Sequence, residues 1–285
     1  MPINYDEMLA APAVRTEQTY TARDTIIYAL GVGLAMDPVD ERQLPFVWER
    51  DLQTLPTWAA TLAWKRFAEL DLGLTYTKLV HAEQRMVLHR PVPGEGSVYS
   101  DLRVKDVVDR GAEKGAIIYF ERILREKGSD EAISTQILTI LARADGGFGG
   151  PDRPRLDNHV LPERAPDEVV SLDCSARSAL IFRLTGDVNP LHIDPVTARK
   201  AGFERPILHG AATYGYVGHA VLKAVLDYDA SRLLELDGRF SAPVLPGDQL
   251  EADIWVDGHV VSVRVRAPER EVTVFNNGRA LIRPN

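Results

Sequence analysis

Asp187 and His192 stand five residues apart in Leu184-Thr185-Gly186-Asp187-Val188-Asn189-Pro190-Leu191-His192-Ile193-Asp194-Pro195, the densest run of polar and turn residues in the chain. A carboxylate and an imidazole at this spacing can converge on one water if the backbone between them turns. The carboxylate accepts a proton, and the imidazole orients the water and exchanges a proton in its turn. Asn189 can hold that geometry by hydrogen bonding. The same string is also ordinary turn chemistry, in which Asp and Asn close local hydrogen bonds and Pro190 fixes φ. Asp194 has a local use too, as the cap of a short helix opening at Pro195. Further on, His209-Gly210 opens a long apolar stretch. A helix start presents free N–H groups with the helix dipole behind them, and Gly210 has no side chain to block approach, so its N–H is a candidate donor to a developing oxyanion.

The elements that must position these residues occur twice. Tyr28 and Phe182, each in a short apolar helix, are 154 residues apart, and the two Pro-Gly turns at Gly94 and Gly247 are 153 apart. At about the same offset Pro56-Thr57-Trp58-Ala59-Ala60 lies opposite His209-Gly210-Ala211-Ala212-Thr213. Three echoes at one spacing indicate a tandem duplication. Each half is expected to run from a short helix through a loop to a longer helix and then several strands. Strands are expected over 116–124, 132–144, 250–256, 259–265 and 271–275 from alternation and β-branched content. The long helix of the second half spans about 209–225. Its glycines at 215 and 218 cost about 1 kcal/mol each relative to Ala, so something must pack closely there. Antiparallel strands with an apolar helix make an α+β fold. The loop of the first copy, Leu30 to Pro38, keeps the final Asp-Pro but lacks the Asp, Asn and His. That difference points to one active and one spent site.

The chain has 285 residues, 45% hydrophobic, with a net charge of −8. Two domains are expected: 1–150, a linker over 151–166 rich in Pro and Gly, and 167–285. No dense Lys/Arg run marks a nucleic-acid face. The single cysteine, Cys174, reads as a buried inert thiol at a strand end. His89, His159, His219 and His259 share no metal-ligand spacing, so no metal is expected. Gly31-Val32-Gly33 lacks the third glycine of a dinucleotide fingerprint. Met1 to Tyr5 shows no secretory start, no apolar run nears the length of a membrane span, and Arg283-Pro284-Asn285 is not a peroxisomal address. A cytosolic location is the expectation.

The string Phe182 to His192 resembles the signature of type 2 enoyl-CoA hydratases, the R-specific, MaoC-like enzymes. Tyr28 to Gly33, His81-Ala82-Glu83-Gln84, Gly146-Gly147-Phe148-Gly149-Gly150, Pro206 to Gly210, Thr213-Tyr214-Gly215 and Arg239 to Asp248 resemble family segments, so the likeness covers nearly the whole chain. It implies a tandem (double) hot-dog, with antiparallel sheets each wrapped around a long central helix. The C-terminal half would carry the chemistry, and the degenerate N-terminal half would make room for the acyl chain. It implies reversible hydration of a trans-2-enoyl-CoA to the (3R)-3-hydroxyacyl-CoA, with Asp187 and His192 as acid/base pair, Asn189 as organiser and Gly210 as oxyanion donor. His81, Ala82, Arg110 and Phe240 would contact the acyl-CoA. The family often has Gly and Lys where this chain has Ala82 and Arg110, and Arg keeps the charge with a planar fork of donors. By residue type alone His81 fits a core equally well, Phe240 fits a core better than a ligand contact, Arg110 fits a solvated turn, and His209 a helix cap. Expected partners are the acyl-CoA and a second copy of the chain, with neither nucleic acid nor membrane. No cofactor is expected, CoA being part of the substrate. A thioesterase on the related fold, or a non-catalytic acyl-CoA-binding subunit, are the competing readings.

Overall fold

A computed structural model describes residues 3–151, 153–154 and 156–284. The strands are β1 (Val14–Tyr20), β2 (Leu79–Leu88), β3 (Gly96–Asp109), β4 (Ala116–Glu126), β5 (Ala132–Ala142), β6 (Glu168–Asp173), β7 (Leu233–Phe240), β8 (Gln249–Asp257), β9 (Val260–Ala267) and β10 (Val272–Ile282). They form one antiparallel ten-stranded sheet in the order β1-β3-β4-β5-β2-β7-β10-β9-β8-β6. From either edge inward the pattern is the same, first, third, fourth, fifth and second strand of its half, so the duplication seen in the sequence is also in the topology. The halves join at β2 and β7, where Arg85 faces Asp237. At this seam each strand pairs with its own repeat counterpart, 152 residues away, so the local two-fold relating the halves runs through it.

The helices are α1 (Tyr5–Ala10), α2 (Ala22–Gly31), α3 (Ser178–Phe182), α4 (Pro195–Lys200) and α5 (Gly210–Val225). Of these α5 is the long central helix. It is apolar nearly all round, with every residue from Ala212 to Leu222 buried, as expected of a helix enclosed by its sheet. Its glycines are explained by contact with the other half. A Cβ on Gly215 would meet Val32 Cγ1 at 2.5 Å, and one on Gly218 would meet Thr57 Cγ2 at 2.6 Å. The apolar first-half loop has therefore become packing surface for α5. The Val32 carbonyl also accepts a hydrogen bond from His219 Nδ1 at 3.2 Å.

The N-terminal half departs from expectation at its own central helix. Only a 3-10 segment, Pro56–Ala60, occupies that place. Ala63 then turns the chain away with φ of 51°. The carbonyls that would have continued the helix are taken by the buried guanidinium of Arg122. Its Nη1 donates to Ala59 O at 3.0 Å and Gln136 Oε1 at 3.0 Å, and its Nη2 donates to Leu62 O. Burial without a carboxylate partner pushes this guanidinium down to about 9, still above neutral pH. The described residues of the expected linker bond to strands of both halves. Arg85 donates to Asp157 O, Leu156 N to Tyr119 Oη and Trp255 Nε1 to Arg164 O. The described part of this segment is thus tied down at both halves. Among the described residues no helix is long and apolar enough to cross a membrane.

Candidate active site

The loop between α3 and α4 is shaped by its own side chains. Gly186 adopts φ of 124°, a conformation that favours glycine. Asp187 Oδ1 accepts from Asn189 N at 3.2 Å, and Asn189 Oδ1 accepts from Leu191 N at 3.1 Å, capping the 3-10 turn Pro190–His192. Asp194 then accepts from Val196 N and Thr197 N and caps α4. The turn chemistry expected of this string is therefore present. The local hydrogen bonds that make the turn also bring Asp187 and His192 together, with side-chain ligand atoms of Asp187, His192 and His209 all within 4.8 Å of one another.

Tautomers follow from the partners. His192 Nδ1 lies 2.9 Å from the Ile207 carbonyl, which can only accept, so Nδ1 carries the proton and Nε2 keeps its lone pair when the ring is neutral. Burial lowers the His192 pKa, opposed by the Ile207 bond and by Asp187. His209 Nε2 lies 3.1 Å from the Asp187 carbonyl and by the same reasoning is the protonated nitrogen. Burial pulls His209 down to about 3, so it is neutral throughout the working pH range. The two rings stack at 3.7 Å between centroids with 29° between planes. Three ligand-type residues at one point raise the question of a metal. The ring planes are too nearly parallel for the two remaining lone pairs to meet at a common ion about 2 Å from each nitrogen, so the geometry does not suit one.

Gly210 is the first residue of α5 and is solvent-exposed, and a Cβ built on it meets nothing within 4 Å. As a first-turn residue its N–H has no carbonyl a turn behind it to bond. His209 is the N-cap residue of α5, as read from the sequence, but makes no side-chain cap hydrogen bond. The other expected contacts sit at the end of the β2–β7 seam. His81 and Phe240 meet at 5.0 Å, and Phe240 reaches α5 through Phe275 and Tyr214 at 5.6 and 6.4 Å. Ala82 is buried beside them in β2. Burial takes His81 down to about 4, and its Nε2 has no partner among the described residues.

Arg110 stands in the β3–β4 turn, with no ion-pair partner among the described residues, and its N donates to Gly115 O. This turn is held by a residue that sequence reasoning passed over. The carboxylate of Asp109 accepts from Gly111 N, Gly147 N and Gly149 N at 2.9, 2.7 and 2.8 Å. These backbone bonds outweigh burial and hold Asp109 below the usual carboxylate range. The double-glycine string is thus folded against the turn, at positions where Gly147 and Gly149 both have φ of 80°. Its abundance of glycine was the available signal. Cys174 is buried directly after β6, and burial raises its thiol, as expected of an inert cysteine.

Residues 18–144 match the model of the MFE-2 hydratase 2 N-terminal domain, and residues 157–277 match that of the MaoC like domain. The chain is 37% identical to the enoyl-CoA hydratase ChsH3 of Mycobacterium tuberculosis, over 99% of each chain. It is 36% identical to the peroxisomal enoyl-CoA hydratase 2 of Arabidopsis thaliana, over 95% of this chain and 93% of that one. The crystal structure of a MaoC-like dehydratase from Phytophthora capsici superposes with a TM-score of 0.88 at 26% identity, covering 99% of this chain and all of the other.

Proposed function

Because this chain belongs to the MaoC-like, type 2 enoyl-CoA hydratase family, we propose that it adds water reversibly across the double bond of a trans-2-enoyl-CoA, giving the (3R)-3-hydroxyacyl-CoA. The observation that carries this reading is the meeting of Asp187 and the Nε2 lone pair of His192 beside His209, whose next residue, the exposed Gly210, opens α5 with a free N–H. A water held by the Asp187 carboxylate and His192 Nε2 gives up a proton to the pair as its oxygen bonds to the β-carbon. Electron density moves to the thioester oxygen, where the Gly210 N–H and the α5 dipole stabilise it. The proton held by the pair then passes to the α-carbon, so one water is consumed and the CoA thioester stays intact. The (3R) configuration rests on the family likeness. Arg110, His81, Ala82 and Phe240 are assigned to the acyl-CoA on the same ground, and the fatty or steroid-like nature of the acyl group is left to a substrate panel.

Gly210→Pro removes the oxyanion N–H, and Gly210→Ala, which keeps that N–H and meets nothing within 4 Å, controls for the added bulk. Proline suits the first position of a helix, where the missing N–H is not used by the fold. The preceding His209, at φ −58° and ψ 139°, already has the backbone that a following proline demands. The variant is expected to fold with unchanged thermal stability and to hydrate a trans-2-enoyl-CoA about 10²- to 10³-fold more slowly, the usual loss for one oxyanion donor. A folded proline variant with the parent rate would remove Gly210 from the mechanism.

A further inference from the structure

We propose that His209 is a positioning residue for the hydration site, locking the Asp187 loop, the His192 ring and the first turn of α5 into one rigid unit. The inference rests on the reading of Asp187, His192 and Gly210 given above, and assigns the device that keeps them in register. Three links converge on this one side chain. Its Nε2–H donates to the backbone carbonyl of Asp187 at 3.1 Å, tying down the loop at the residue that carries the carboxylate. Its ring lies face to face with His192 at 3.7 Å. Its backbone immediately precedes Gly210, and its carbonyl accepts from Thr213 N at 3.0 Å, so it moves only with α5.

The ring itself is clamped. It also packs against Phe182 at 4.9 Å, and Phe182 is backed by Tyr28 at 5.7 Å, which in turn rests on Trp58 at 4.6 Å. His209, Phe182, Tyr28 and Trp58 are all essentially without solvent exposure. A row of buried rings thus runs from the truncated helix of the degenerate half into the site of the other half. This gives the N-terminal half a role in catalytic geometry besides accommodating substrate. The His209 ring also has to be neutral, since a second imidazolium stacked on His192 would oppose any charge that His192 takes up. Burial ensures this, holding His209 near 3. Its Nδ1 is buried with no hydrogen-bond partner among the described residues, so the ring is used as a one-donor strut.

The test separates the donor from the stack and from the chemistry. His209→Phe keeps the ring and loses the N–H, and His209→Gln keeps an N–H near the Nε2 position. His209→Phe is expected to lower kcat for a trans-2-enoyl-CoA about 10²-fold, the scale of an ångström-size misplacement, with KM within a few-fold of the parent. His209→Gln is expected to recover at least tenfold of that loss. A purely structural role would instead lower thermal stability in both variants and leave kcat per folded molecule unchanged, which overturns the proposal. Nitrogen-15 NMR of the histidines in the unmodified protein covers the case in which a variant does not fold. It should find His209 as the Nε2–H tautomer with a slowly exchanging proton, and the Nδ1–H tautomer would refute the strut. If Asp187→Asn keeps the parent rate, the underlying site assignment has failed, whereas a fully active His209→Phe beside an inactive Asp187→Asn sinks only the present inference.

Discussion

Asp187→Asn and His192→Ala are each expected to fold like the parent chain and to lose about 10²- to 10⁴-fold in kcat/KM for enoyl-CoA hydration, the range supplied by a positioned acid or base. At 1.36 kcal/mol for each factor of ten, that is about 3–5 kcal/mol of transition-state stabilisation. The Asp187 side chain does not hold the fold, whereas the buried His192 ring also stacks on His209 at 3.7 Å. The Asp187 carboxylate makes one local bond, to Asn189 N, and the His192 ring makes one, to Ile207 O. Asn is the stricter replacement at 187, because its amide oxygen can still accept from Asn189 N and so keep the turn. Stability should therefore stay nearly constant for Asp187→Asn while the rate falls, with some loss for His192→Ala from the vacated buried ring, and steady-state kinetics with thermal unfolding on the same samples read both. The pH dependence follows from the same geometry. His192 acts through its neutral ring, and burial lowers its pKa below the ordinary 6.5. The hydration rate of the parent should hold as pH falls through 6.5 and decline only below that, where the ring protonates.

Arg122→Lys is expected to destabilise the fold by about 3 kcal/mol or more while leaving residual activity in the folded fraction. Lysine keeps the buried charge and its desolvation penalty but cannot reproduce the planar fork. The Arg122 fork reaches the Ala59 and Leu62 carbonyls and Gln136 together, and each buried acceptor left without a donor costs about 1–3 kcal/mol. Arg122→Met is the less informative change, since it would remove the penalty of a buried cation along with its hydrogen bonds. In a chain of this size the lysine variant should unfold on the order of 10 °C lower, at about 2–4 °C per kcal/mol. A melting temperature equal to the parent's would show that the truncated helix does not depend on this guanidinium.

The duplication was legible because Tyr28 and Phe182, Gly94 and Gly247, and Pro56 and His209 repeat at one spacing. The strand order repeats with them. The apolar character of the first loop was legible as well, because it lacks every ionisable group between Leu30 and Met36. Gly215 and Gly218 announced close packing, and the partners turned out to be Val32 and Thr57 of the other half. The truncated helix was not legible. Pro56-Thr57-Trp58-Ala59-Ala60 is compatible with a helix start, and what ends it is a guanidinium 62 residues away from Ala60, beyond the reach of any local pattern. His209 was hidden for a similar reason. A histidine before a helix reads as a cap, and only the fold shows its Nε2 turned back to the Asp187 carbonyl and its ring packed on both Phe182 and His192. Arg110 was placed in a turn correctly, but its support by Asp109 required knowing that the glycine string at 146–150 folds back over that turn.

The most direct measurement is the reaction itself, with the unaltered chain and a series of trans-2-enoyl-CoA substrates of different length and bulk. Loss of the enoyl absorbance is followed alongside free CoA, and the hydroxyacyl product is resolved on a chiral column. The account predicts consumption of at least one member of the series, no release of CoA, and a (3R)-3-hydroxyacyl-CoA product. A (3S) product, or CoA release without a hydroxyacyl product, would contradict it.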